Sequence, residues 1–110
     1  MRKMQFLLIL FVFGLLFSGC NLNPPPDTIF KVLYYDNGST SGFPPIDNNE
    51  YTAGMEAIVL DKGSLLKTEH AFQNWNTNSH GTGTSYASGD KIKIVKQNIY
   101  LYAVWVKLPK

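Results

Sequence analysis

Ile99-Tyr100-Leu101-Tyr102-Ala103-Val104-Trp105-Val106 is the stretch on which the fold turns. These residues carry no charge, and most are β-branched or aromatic, the types that suit a pleated surface. Both alternating sets are apolar, which predicts a strand at the centre of a sheet. Upstream, Lys91-Ile92-Lys93-Ile94-Val95 alternates with period two, so one face is expected to be wet and the other buried. Ala71 to Trp75 reads as a further strand, as does Glu56-Ala57-Ile58-Val59-Leu60, which stops at Asp61-Lys62-Gly63. Phe30-Lys31-Val32-Leu33-Tyr34-Tyr35 opens the series and ends at the turn signal Asp36-Asn37-Gly38. A loop with Gly42, Pro44, Pro45 and Asn48-Asn49 follows it, and Leu65 and Leu66 are compatible with the start of one helical turn. No stretch holds helical periodicity for ten residues or more. The prediction is one α+β domain over residues 28–110, mostly β, with a mixed sheet, at most one short helical turn and no internal repeat.

The N-terminal end follows a different pattern. Arg2 and Lys3 precede an apolar run from Phe6 to Phe17, and Ser18-Gly19-Cys20 follows. That is the order of a secretory signal, with a positive start, a short apolar core and small residues at the cut. The run covers 12 positions, whereas a membrane-spanning helix needs roughly 20. Cys20 is the only cysteine, and it stands where a bacterial lipoprotein receives its diacylglycerol; Phe17 takes the slot that more often holds Leu. A lone exposed thiol in an oxidising compartment would have nothing to pair with, which favours lipid attachment over a free cysteine. Residues 1–19 are therefore expected to be a lipoprotein signal peptide. Residues 20–27 are the lipidated cysteine and a tether stiffened by Pro24-Pro25-Pro26, whose positions 21–27 reach roughly 20 Å at about 3.1 Å per residue. Two acyl chains hold firmly where one anchors marginally.

Removing Arg2 and Lys3 leaves eight basic residues against eight acidic ones, so the formal excess of +2 belongs to the signal. No argument for a nucleic-acid partner survives that subtraction. A domain of about 80 residues has a core barely large enough to stand alone. With the one cysteine assigned elsewhere, large aromatics must supply the stability, and Phe72, Trp75, Tyr86, Tyr102 and Trp105 are expected in the core.

Several of these segments fall in one recognisable order. Val32-Leu33-Tyr34-Tyr35-Asp36-Asn37-Gly38, Phe72-Gln73-Asn74-Trp75-Asn76-Thr77, Gly81-Thr82-Gly83-Thr84-Ser85-Tyr86, Gly89-Asp90 and Leu101-Tyr102-Ala103-Val104-Trp105 together resemble the internalin B-repeat family, also called the Listeria–Bacteroides repeat. The likeness runs from about Phe30 to Val106. It implies a small β-grasp-like module of secreted or surface-attached bacterial proteins, without enzymatic activity of its own. Asn74 stands where the family usually has Gly, and His80 where it tends to have an acidic residue. One copy is present in the sequence, which implies a lone module rather than a stalk.

Other motifs invite chemistry and fall short of it. Gly81 to Lys91 suggests a phosphate loop, but the pattern needs Gly-Lys-Ser/Thr, and Asp90 after Gly89 would repel a phosphate. A connection between strands is the expected role. His70 and His80 could meet Asp61 or Glu69, yet zinc needs three or four ligands and the spacing supplies no such set. Asp47, Glu50 and Glu56 could be read as a glycosidase carboxylate pair, but so small a domain has little room for a sugar cleft. Asn37-Gly38-Ser39 fits a glycosylation sequon and is more simply a turn. No catalytic, cofactor or metal residue is expected.

Tyr34, Tyr35, Tyr51, Tyr100 and Val104 are the remaining candidates. Adjacent strand residues point to opposite faces, so one of each pair is expected in the core and the other towards solvent or a partner. Exposed tyrosines near Lys91, Lys93 and Lys96 could stack on sugar rings, but cross-strand aromatic pairs on a wet face are the simpler reading. The sequence thus predicts a monomeric, non-enzymatic lipoprotein of the bacterial envelope, at the outer membrane or cell surface. It would reach the membrane through the lipid on Cys20 and present one repeat for binding or adhesion to a protein or glycan. The alternative is an assembly lipoprotein that docks onto a larger envelope complex through an open sheet edge.

Overall fold

The computed structural model describes residues 28–110. Its strands are β1 (Val32–Tyr35), β2 (Glu56–Ile58), β3 (His70–Asn76), β4 (Ser85–Tyr86), β5 (Lys91–Lys93) and β6 (Ile99–Lys107). Four of them form a sheet in the order β1-β6-β3-β4, and β2 and β5 form a separate antiparallel ribbon. β6 pairs parallel with β1 and antiparallel with β3, so the sheet is mixed and the apolar 99–106 stretch lies inside it, as expected. Its two faces are apolar for different reasons. Leu101 and Ala103 point into the core and are fully buried, whereas Tyr100 is exposed and Tyr102 and Val104 are half-buried on the outer face.

One hydrophobic cluster holds the domain together. Val32, Tyr34, Trp75, Leu101 and Ala103 from the sheet join Ala57, Val59, Ile92 and Ile94 from the ribbon and its flanks, with Leu65, Phe30 and Tyr51. The period-two pattern of 91–95 is realised there: Ala57 opposes Ile92 and both are buried, while Glu56 opposes Lys93 with both exposed. The ribbon continues beyond its named ends, because Val59 bonds Asp90 and Gly89, and Ile94 bonds Met55 and Gly54. Of the expected core aromatics only Trp75 is fully buried. Phe72, Tyr86 and Trp105 pack against the cluster half-exposed, and Tyr102 lies on the outer face.

Two features differ from the sequence reading. No helix forms among the described residues, and Leu65-Leu66 does not start a helical turn. Leu65 is fully buried, and Leu66 instead exchanges both backbone hydrogen bonds with Ser41. The pairing depends on Gly42 at φ 83, where a Cβ would collide with the Ser64 carbonyl. The second is β4, inside the stretch expected to be only a connection. Ser85 and Tyr86 pair with Asn76 and Trp75, so β3 and β4 form a hairpin.

Candidate functional site

The site is built outward from the buried face of β1. Tyr34 enters the core, meets Trp75 edge-on with ring centroids 4.8 Å apart, and accepts a hydrogen bond from the Leu60 N–H at 2.9 Å. The Trp75 indole N–H donates to the Leu60 carbonyl at 2.9 Å. Both polar groups of one loop residue are thus satisfied by core aromatics, which pins the exit from β2 against the sheet. Burial pushes the Tyr34 phenol above its ordinary value of 10.0, a rise the Leu60 N–H opposes and the Asp47 charge reinforces.

Asp47 closes the other side. Tyr51 donates its hydroxyl proton to Asp47 Oδ2 at 2.6 Å, and the Asn49 N–H donates to Oδ1 at 2.9 Å. Burial foremost, and then the bond to Asp47, raise the Tyr51 phenol above its ordinary value. Tyr51 and Tyr34 are therefore core residues rather than candidates for a binding face. Asp47 is a structural acceptor, whereas Glu50 and Glu56 are exposed.

The turn held by Asp47 creates a groove. Phe30 and Tyr51 exchange backbone hydrogen bonds at 2.7 and 3.0 Å, which covers the β1 edge at its start. Continuing antiparallel, Asn49 would oppose Val32 and Asp47 would oppose Tyr34, but the Asn49–Asp47 turn carries the chain away. Between β1 and the diverging Pro44–Asn48 segment lies an open cavity of about 260 Å³. Ile46 on its far wall is 78% exposed. In the sequence this wall read only as a loop; the signal available was the apolar run Phe43-Pro44-Pro45-Ile46 in a place where solvated loops are polar.

A second surface is the outer sheet face. Tyr35 and Tyr102 are register partners and stack with centroids 5.0 Å apart, while Tyr100 stacks on Tyr35 at 6.3 Å. Leu33, opposite Tyr100, extends the patch. This is the cross-strand arrangement expected for such tyrosines, and Tyr35 and Tyr100 keep ring area in contact with solvent. Val104, also on this face, borders Gly81 instead.

The glycine loop is occupied by the protein's own side chains. Asn76 Oδ1 accepts from the Asn78 and Gly83 N–H groups, and Asn78 Oδ1 accepts from those of His80 and Thr82. The Thr77 hydroxyl accepts from the Thr84 N–H, so the donors that would cradle a phosphate are engaged in the turn. Gly83 has no room for a Cβ, which would overlap the Thr77 hydroxyl. Asp90 accepts from the Ala87 N–H and fixes the next turn. His70 begins β3 and His80 lies beyond its end, so the fold keeps the two histidines apart. The Asn37 side chain, first residue of the sequon, donates to the Ser79 and Ala103 carbonyls at 2.8 Å each and ties the β1 turn to the hairpin. Cys20, the expected lipid-attachment residue, lies outside the described residues, as do the signal and the whole of the tether.

With this geometry in view, the model of the Listeria-Bacteroides repeat domain matches residues 30–104. The chain belongs to the Listeria–Bacteroides repeat family. The matched range holds β1 to β5 and most of β6, and therefore both surfaces of the repeat. Two relatives come from Evansella cellulosilytica. One, provisionally named a Gly-rich membrane protein, is 31% identical over 70 residues, covering 54% of this chain and 8% of its own length. The other, provisionally named a membrane protein, is 28% identical over 76 residues, covering 69% of this chain and 11% of its own. The chain thus spans only a small part of these relatives. No solved structure matches it. Within the repeat, Asn74 follows a register shift in the β3–β6 ladder, and its Oδ1 is buried without a partner.

Proposed function

We propose that this chain is a membrane-anchored lipoprotein, held through a lipid on Cys20, that presents one non-enzymatic repeat for binding or adhesion at the bacterial envelope. The observation that carries the reading is the Tyr35–Tyr100–Tyr102 stack on the outer sheet face, in which Tyr35 and Tyr100 are exposed. Stacked tyrosines give rigid amphipathic contact area at low entropic cost, which suits recognition of protein or glycan. Membership of the repeat family and the membrane-protein names of the two relatives support an envelope setting. The second reading, an assembly lipoprotein docked through a sheet edge, is favoured by the open groove beside β1.

The test is crosslinking capture from whole cells, combined with protease shaving of the surface. Capture of a defined partner that is lost in Tyr35→Ala/Tyr100→Ala, with the circular dichroism melt retained, supports the binding module. Capture indifferent to both changes removes the tyrosine face as its basis.

A further inference from the structure

The edge of β1 offers more than an apolar wall. Ile99 donates its N–H to the Lys31 carbonyl at 2.9 Å, and the Lys31 N–H faces the same side, donating to the Asn98 side chain. In a parallel ladder alternate residues bond the same neighbour, so Lys31, Leu33 and Tyr35 address β6. Val32 and Tyr34 must then direct their N–H and C=O groups the other way, towards the groove. Phe30 confirms the phase, since it bonds Tyr51 on that side. An incomplete ladder therefore starts at Phe30–Tyr51 and stops where Asn49 and Asp47 turn away.

We propose that this groove takes an extended apolar peptide segment of another protein as an added strand, antiparallel to β1, in the register positions that Asn49 and Asp47 leave. The inference rests on the second reading, docking through a sheet edge, and names the surface and class of partner for it. Strand addition draws affinity from main-chain hydrogen bonds and specificity from the side-chain walls. Here the walls are Pro44, Pro45 and Ile46, which favour apolar side chains. Charge complementarity sets the end of the segment. The groove is lined by two charged residues, and both oxygens of Asp47 are already engaged, which leaves Lys31 to be answered. Lys31 precedes β1, so an antiparallel partner brings its C-terminal side there, and a carboxylate following the apolar residues fits.

Other occupants fit less well. The chain's own tether holds Pro24-Pro25-Pro26, which have no N–H to give a ladder. A second copy would bring a whole sheet edge, and the Pro44–Asn48 wall stands in its way, whereas one extended segment can enter.

The probe is an acetylated, fluorescein-labelled heptapeptide of alternating threonine and valine ending in glutamate, titrated against the full chain in detergent micelles. Its control is the same peptide with the alternate backbone nitrogens methylated, which removes ladder donors and, because the methyls make the peptide more apolar, cannot lose binding through weaker partitioning into the micelle. The parent should bind at least about tenfold more tightly than the methylated peptide, the equivalent of about 1.4 kcal/mol. Saturation should also slow amide exchange at Val32 and Tyr34. Ile46→Asp, at an exposed position that leaves the core untouched, should weaken the parent peptide by about tenfold or more. Lys31→Glu should reverse the preference between peptides ending in glutamate and in lysine. Equal affinity of the two backbones, unchanged exchange at Val32 and Tyr34, or no binding at millimolar peptide overturns the proposal. A concentration-dependent dimer in sedimentation that Ile46→Asp abolishes overturns it in favour of a second copy. Whole-cell capture that survives Ile46→Asp overturns this groove as the docking surface and leaves the tyrosine face of the binding module standing.

Discussion

Trp75 and Trp105 look alike in the sequence, each a tryptophan in an apolar strand of the repeat, yet the fold treats them differently. Trp75 has no exposure, faces Tyr34 and Phe72 edge-on, and holds the Leu60 carbonyl. Trp105 is half-buried at the rim and donates to the Asp36 carbonyl at 3.0 Å. Trp75→Ala should therefore cost about 3–5 kcal/mol, enough to unfold so small a domain, and Trp105→Ala about half of that. Circular dichroism melts of both variants check the order, and equal losses would contradict it. Beside Trp75, the Asn74 oxygen is buried without a partner. Asn74→Ala should stabilise by about 1 kcal/mol, because it removes a desolvated acceptor. The buried phenols predict a pH response of definite sign. Tyr34 and Tyr51 are raised above 10.0 in the fold, so the unfolded chain loses those protons first. Their contribution is complete below pH 10.0 and is lost as pH rises through the folded values. Denaturant melts between neutral pH and pH 11 should show a fall that is smaller in Tyr51→Phe than in the parent chain, about in proportion to the phenol removed.

At the scale of elements, what was legible is what had enough residues to show a period. The 91–95 alternation carries the strand period, the 99–106 and Val32–Tyr35 runs carry the β-branched and aromatic composition of strands, and the structure has strands at all three. β4 has two residues, too few for any period, and it exists because Asn76 organises the hairpin above it. Asn76 is buried and donates to the Gly83 carbonyl and the Ser85 hydroxyl, while its oxygen accepts from Asn78 and Gly83. A network of that kind is set by three-dimensional closure, and no local propensity announces it. Asn76→Ala should deprive the Asn78 and Gly83 N–H groups of their acceptor, at about 1 kcal/mol for each net hydrogen bond lost, and release β4 first. Hydrogen exchange checks this, with early loss of protection at Thr77, Gly83 and Thr84 and retained protection at Leu101. The groove escaped notice for a related reason. Its two walls are about a dozen residues apart in the chain, and only the Asp47 turn decides whether the second wall covers β1 or leaves it.

For the whole molecule, the decisive division is between a folding unit and a point of attachment. Among the described residues the buried cluster lies between Phe30 and Ala103, and the hydrogen bonds that close the sheets join residues between Phe30 and Leu108. The proposed attachment through Cys20 calls on chemistry that a packed core does not supply. Lipidation adds about 0.8 kcal/mol of membrane affinity for each buried methylene, so two chains hold firmly without changing any contact in the domain. Cys20→Ser should accordingly abolish incorporation of a fatty-acid analogue and shift the protein out of the membrane-bound pool. If Cys20 serves attachment alone, the melt of the domain should match that of the parent chain within about 0.5 kcal/mol. Metabolic labelling read beside the melt distinguishes the outcomes. Equal label in Cys20→Ser would mean that the lipid is carried elsewhere or not at all, whereas lost label together with a lowered melt would mean that the segment around Cys20 contributes to the fold.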